Sequence, residues 1–141
     1  MFSRSRSSKS TLFPSGPKTT RFRCVPRSVA NRNDPRFVDP IVWSGRTDTW
    51  APSGATFLAH AGPLHGSFLF ATLRGTHLHR VVFGPDGKSV LFEERLLENT
   101  YGRLRDVFEL PSGQLLVLTN NRDGRGSPGP TDDRVLLVTL G

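Results

Sequence analysis

One cysteine, Cys24, stands in 141 residues, which excludes an intramolecular disulfide and a cysteine-based zinc cluster. Apolar residues make up only 35% of the chain, little for a compact core of this length. No stretch approaches the roughly 18 consecutive apolar residues that a membrane-spanning helix needs. Acidic residues are missing altogether from positions 1–33. That segment also lacks the apolar run of about 7 to 15 residues that marks a secretory signal. Turn formers, by contrast, are plentiful. The 14 glycines and 11 prolines disfavour long helices and favour short elements joined by tight turns.

The formal net charge of +7 would suit nucleic-acid binding if it were spread over a folded surface. It is not. Residues 1–33 carry eight basic residues and no acidic one, whereas residues 34–141 carry eleven basic and twelve acidic, a net charge of −1. The chain therefore divides into a basic leader rich in Ser, Arg and Pro, residues 1–36, and a nearly neutral body, residues 37–141. The leader cannot bury enough apolar surface to offset the entropy of ordering it, so it is expected to be disordered. An organellar transit peptide, a nucleic-acid-binding arm and a membrane-surface patch all fit its composition. The plainer account is a tail without a role, read from a start codon inside a longer gene. No segment alternates basic and aromatic residues as a single-strand binder does, and nucleic acid is not an expected partner.

The body reads as strands. Seven short runs rich in Val, Leu, Phe and Thr are each bounded by Gly, Pro, Asn or Asp. They are Ala55–His60, Ser67–Leu73, His77–Phe83, Ser89–Leu97, Arg103–Glu109, Gln114–Thr119 and Arg134–Thr139. Weak helical spacing near Glu93–Glu98 is too short to displace the strand reading. A turn signal of the form x-Pro-Ser/Asp-Gly occurs three times, at Ala51–Gly54, Gly84–Gly87 and Leu110–Gly113. Proline presets φ, Ser or Asp bonds the local backbone, and Gly accepts a positive φ. Antiparallel hairpins follow, and with them an all-β fold, either a sandwich or a propeller. A propeller blade takes about 40 to 50 residues, so the body would hold roughly two, and periodicity leaves that choice open.

Four ordered segments carry a resemblance that decides it. Trp50-Ala51-Pro52-Ser53-Gly54 comes first, then Leu69-Phe70-Ala71-Thr72-Leu73-Arg74-Gly75. Tyr101-Gly102-Arg103-Leu104-Arg105-Asp106-Val107 leads into Leu110–Gly113 and Leu115–Thr119. Asn121-Arg122-Asp123-Gly124-Arg125-Gly126 and Asp132–Leu136 close the series. Over residues 39–141 the chain resembles the C-terminal portion of the soluble glucose, aldose and sorbosone dehydrogenases that use pyrroloquinoline quinone (PQQ). The resemblance implies about two C-terminal blades of a six-bladed β-propeller and a periplasmic or secreted setting, although no signal peptide is visible. It also implies oxidation of a sugar's anomeric hydroxyl to a lactone, with PQQ as acceptor, calcium polarising the quinone and a histidine as base.

By matched position the resemblance makes Arg74, Arg103 and Arg105 cofactor contacts, and Thr49 a looser fourth. PQQ carries three carboxylates on a planar ring, which calls for fixed, planar, bidentate cations. Arg103 and Arg105 are two apart on an expected strand and so should share a face. The plainer alternative pairs them with Asp106, Glu109 or other nearby acids, or leaves them in solvent. His60, His65, His77 and His79 match no catalytic base and are expected at the surface or partly packed, His77 and His79 on one strand face. Residues 120–133 lack the acidic ladder of a calcium loop and read as an Asp/Gly-rich connection. Trp43 and Trp50 read as packing residues.

The family's base and calcium ligands lie in earlier blades, and nothing ahead of Asp39 resembles them. The expected protein is thus a fragment of a PQQ-type sugar dehydrogenase, inactive alone, with sugar and PQQ as partners once the missing blades are supplied. A non-catalytic propeller module for binding or assembly, and a small β-domain with a nucleic-acid-binding arm, are the alternatives.

Overall fold

The computed structural model describes residues 38–140, and the leader read as disordered, residues 1–36, lies outside the described residues. All seven expected strands are present. The described residues contain no α-helix, only a 3-10 turn at Gly62–Leu64. Strands β1 (Pro52–Phe57), β2 (Phe68–Thr72), β3 (Leu78–Phe83) and β4 (Val90–Leu96) form one antiparallel sheet in that order. Strands β5 (Leu104–Glu109), β6 (Leu115–Thr119) and β7 (Val135–Val138) form a second. Each strand pairs with its neighbour in sequence, so both sheets are up-and-down meanders. The stretch Glu93–Glu98 runs through the end of β4, and the strand reading holds there.

Two of the three turn signals make hairpins. At Gly84–Gly87 the Gly87 N–H donates to the Gly84 carbonyl at 2.9 Å. The Asp86 carboxylate accepts the Lys88 and Ser89 N–H groups, which holds its pKa down at about 2. At Leu110–Gly113 the Gly113 N–H reaches the Leu110 carbonyl at 2.8 Å, with φ +81 at the glycine. The first signal, Ala51–Gly54, is not a turn, and that expectation is corrected. Pro52 already pairs with Thr72 in β1, and a bulge between Pro52 and Ala55 takes up the irregularity. Gly54 is needed there for another reason: a Cβ at this position would collide with the Asp106 carboxylate of β5. β1 consequently starts and ends three residues earlier than expected. Beyond it, Ala59 and His60 leave the sheet and donate their N–H groups to Glu109 at 2.6 and 2.9 Å.

The sheets meet face to face, with β1 and β2 against β5. Leu69, Ala71 and Leu78 from the first sheet pack with Leu104, Val107, Leu115 and Val117 from the second, and all are buried. On the far face of the first sheet, Phe70 and Val81 form another cluster, covered by Trp50 and Val42 from the preceding segment. The Ser53 hydroxyl lies 3.2 and 3.1 Å from the Ala71 and Leu104 carbonyls, shares its one hydrogen between them and ties the sheets together at one end. A cleft opens at that end.

Candidate functional site

The cleft encloses about 480 Å³, within the range of small-ligand sites. Four segments line it. Residues 47–49 precede β1, residues 73–76 form the β2–β3 turn, Gly102 and Arg103 precede β5, and residues 121–127 follow β6. It therefore lies across the end of both sheets. Three of the four expected contact residues, Thr49, Arg74 and Arg103, line it together.

Arg103 is 9% exposed, an unusual position for a guanidinium. Its Nη2 donates to Asp123 Oδ2 at 2.6 Å and its Nη1 to the Leu73 carbonyl at 3.4 Å. The acid that pairs it is thus Asp123 and neither Asp106 nor Glu109. Backbone donation from Arg125, followed by the Arg103 guanidinium, keeps the Asp123 carboxyl below its usual range. Arg103 Nε is buried without a hydrogen-bond partner. A buried donor left unmatched costs about 1–3 kcal/mol, and Arg103 bears that cost beside the cleft. Arg74 is exposed on the cleft wall, and no hydrogen bond or ion pair engages its side chain among the described residues.

Arg105 does not join them. The register between β5 and β6 shifts between Leu104 and Asp106, making Arg105 the extra residue of a bulge, and a bulge breaks the two-residue alternation. Leu104 and Val107, three apart, both enter the shared core, while Arg105 is exposed and outside the cleft lining. The expected common face of Arg103 and Arg105 is corrected for this reason.

The connection at residues 120–133 joins β6 to β7 as expected, yet it also builds the cleft. Asn121 is 3% exposed. Its Oδ1 accepts the Arg103 N–H at 2.8 Å and its Nδ2 donates to the Tyr101 carbonyl at 3.0 Å. A Cβ on Gly102 would strike this side chain, and one on Gly126 would strike the Asn121 backbone. These two glycines allow the close approach that fixes Arg103. Arg125 lines the cleft, with no hydrogen bond or ion pair to its guanidinium among the described residues. Sequence reading missed Asn121 and Arg125; the pair of glycines on either side of Asn121 was the available signal. Asp48, also in the lining, accepts the Thr49 N–H, Trp50 Nε1 and Arg95, and the first of these does most to lower its pKa.

The histidines divide. His60 and His65 are exposed, as expected. His77 and His79 are 0% and 3% exposed, correcting the expectation of surface or partly packed rings. They do share a strand face, with Nε2 of His77 3.1 Å from Nδ1 of His79. The aromatic rings of Trp50 and Phe70 lie over His79 at 4.4 and 4.9 Å between centroids. No histidine lines the cleft. Trp50 is 7% exposed and packs as expected, while Trp43 is 37% exposed.

Residues 17–136 match the family Glucose / Sorbosone dehydrogenase, a match that starts ahead of residue 39. An oxidoreductase (glucose dehydrogenase) of solved structure from Thermus thermophilus is 40% identical, with a TM-score of 0.63 over 80% of this chain. The PQQ-bound form of aldose sugar dehydrogenase from Streptomyces coelicolor is 33% identical, with a TM-score of 0.64 over 81% of this chain. The chain spans 32% of the length of each. No curated protein matches it.

Proposed function

This chain belongs to the glucose/sorbosone dehydrogenase family, and on that premise we propose that its cleft is the C-terminal share of a PQQ site. Its two antiparallel sheets are similar to blades of the PQQ sugar dehydrogenase propeller. The observation that carries the reading is Arg103, nine-tenths buried with an unmatched Nε, on the same wall system as the uncommitted Arg74.

The donor set fits a polycarboxylate. Arg74 offers an open fork for a carboxylate. Arg103 is held rigid by Asp123 and Asn121, so it loses little freedom when an anion arrives. Thr49 adds a hydroxyl-bearing side chain to the cleft lining. Asp123 and Asp48 would oppose an anion, but each is already occupied by an arginine, Arg103 and Arg95 respectively. Arg105 has no part in this set. Bound there, the quinone would supply hydride acceptance from a sugar's anomeric carbon, the family chemistry. The chain's own residues bind and orient; none of its four histidines lies at the cleft to take the proton of a sugar hydroxyl. The reading is accordingly of a cofactor-holding portion that does not turn over sugar by itself.

Equilibrium dialysis of the full chain against PQQ tests this. Single-site binding is expected, weakened about tenfold or more by Arg74→Gln and by Arg103→Gln, and unchanged by Arg80→Gln, whose guanidinium pairs with Glu94 away from the cleft. Equal affinity in all four proteins would end the assignment. A sugar-dependent dye-reduction assay on the loaded chain should show no turnover.

A further inference from the structure

His77 and His79 belong to a chain of hydrogen bonds that begins and ends on acceptors. His77 Nδ1 lies 2.7 Å from the Gly75 carbonyl, His77 Nε2 lies 3.1 Å from His79 Nδ1, and His79 Nε2 lies 3.3 Å from Glu93 Oε2. A carbonyl can only accept, and so can an ionised carboxylate. Three contacts need three ring hydrogens, whereas two neutral imidazoles bring two. With both rings neutral, one contact sets lone pair against lone pair. One added proton completes the series and places its positive charge against Glu93.

The neutral pair opens at its wet end. The Glu93 side chain is 52% exposed and can turn to water, whereas the Gly75 contact is part-buried and short. Other charged groups around the rings are Arg95, Asp48 and Glu98. Arg95 stands opposite His79 on β4 and over the Trp50 ring at 5.9 Å. It bonds both Asp48, before β1, and Glu98, after β4, so one cation and two carboxylates leave a net negative charge that favours a protonated ring. From β2, Phe70 stacks on the His79 ring and the Thr72 hydroxyl accepts the His77 backbone N–H. Burial pushes both histidines below their ordinary value, with the Glu93 bond pulling His79 partly back.

The relay lies beneath the cleft wall. His77 holds the Gly75 carbonyl, and the N–H groups of Arg74 and Gly75 both donate to the Trp50 carbonyl at 3.0 Å. We propose that His77, His79 and Glu93 form a buried proton-binding relay under the Arg74 turn, and that uptake of one proton raises the cleft's affinity for anions. Linkage makes the effect reciprocal: a bound anion strengthens the relay's hold on its proton.

Ring-nitrogen NMR of the full chain, titrated without ligand from about pH 8 to about pH 5, tests the relay apart from any cofactor. The His77 and His79 signals are expected to move together with one midpoint below 6.5, His77 Nδ1 staying protonated throughout. Independent titration of the two rings overturns the relay. Glu93→Gln supplies an amide donor to neutral His79 Nε2 and closes the series without an extra proton. The midpoint should then fall by roughly one pH unit, and an unmoved midpoint overturns the relay too. For the coupling, the probe is benzene trisulfonate, whose charge is constant over this range. Its affinity should rise roughly fivefold between about pH 7.5 and about pH 5.5 in the parent chain and stay flat in Glu93→Gln. A flat parent profile overturns the coupling, and no binding at either pH overturns the anion site while leaving the NMR result to stand or fall alone.

Discussion

Strand β2, in the first sheet, buries Leu69, Phe70, Ala71 and Thr72 in succession, whereas β6, the middle strand of the second, alternates buried Leu115 and Val117 with more open Leu116 and Leu118. The two meanders share a connectivity and a hairpin turn, so the contrast comes from what lies over their outward faces. The segment ahead of β1 lays Trp50 and Val42 on the first sheet and makes a second core there. The second sheet shows Phe108, Val135 and Leu137 at 59%, 66% and 59% exposure. A strand covered on both sides loses its alternation; one covered on a single side keeps it. The cleft draws on both conditions, taking Arg74 from a turn anchored on a doubly buried strand and Arg103 from just before β5, clamped by a long loop.

Substitutions that respect this contrast should differ most in stability. Leu69→Ala, at 0% exposure in the shared core, is expected to cost about 2–5 kcal/mol. Leu137→Ala on the open face should stay within about 0.5 kcal/mol. Urea denaturation midpoints measure both. A cost of similar size for the two would mean that the outward face of the second sheet is covered in solution, and the contrast would collapse.

Asn121 tests the second sheet's share of the cleft. Asn121→Ala leaves the Arg103 N–H and the Tyr101 carbonyl without partners, for a loss of about 1–3 kcal/mol. Because Arg103 loosens with it, anion affinity should fall in the same variant, whereas Leu69→Ala lowers stability without touching the cleft. If Asn121→Ala binds the trisulfonate as the parent does, the clamp is structural only.

These contrasts were unevenly legible in the sequence. Strand runs and turn signals exposed all seven strands, because short β-elements announce themselves through local chemistry. The β5 bulge did not, since nothing in Arg103-Leu104-Arg105-Asp106 marks the extra residue, and assuming strict alternation put Arg105 on the wrong face. The burial of His77 and His79 was equally hidden. It depends on Trp50, which reaches them from ahead of β1 and only after folding. Asn121 and Arg125 were passed over because an Asp/Gly-rich loop has no period by which to judge which side chains turn inward.

Acidity should separate the sheets next, with a smaller effect. His77 and His79, in the first sheet, have pKa values depressed mainly by burial, so the folded chain binds fewer protons than the unfolded chain near pH 6.5. Their contribution is complete above the ordinary histidine value and is lost as pH falls from there through the depressed folded values. His79→Phe keeps the stack between Trp50 and Phe70 and should flatten the slope of stability against pH from about 8 to about 5.5. The Asn121 variant should keep the parent slope. An unchanged slope in His79→Phe would remove the first sheet as the source of acid sensitivity.

The smallest effect belongs to the β3–β4 hairpin, whose counterpart in the second sheet carries Ser112 where this one has Asp86. Asp86 accepts from Lys88 and Ser89 backbone N–H and from the Ser89 hydroxyl, and those bonds hold its pKa at about 2. A depressed carboxylate stabilises above its unfolded value and loses that contribution as pH falls through its folded one. Asp86→Asn should therefore lower the melting temperature slightly near neutrality, with the difference shrinking below about pH 4 and closing near pH 2. Ser112→Ala, in a turn with no carboxylate to titrate, should give a pH-independent difference. Parallel profiles for the two variants would show that the hairpins are held alike, and that the Asp86 bonds add nothing beyond what the Pro-x-Gly backbone already supplies.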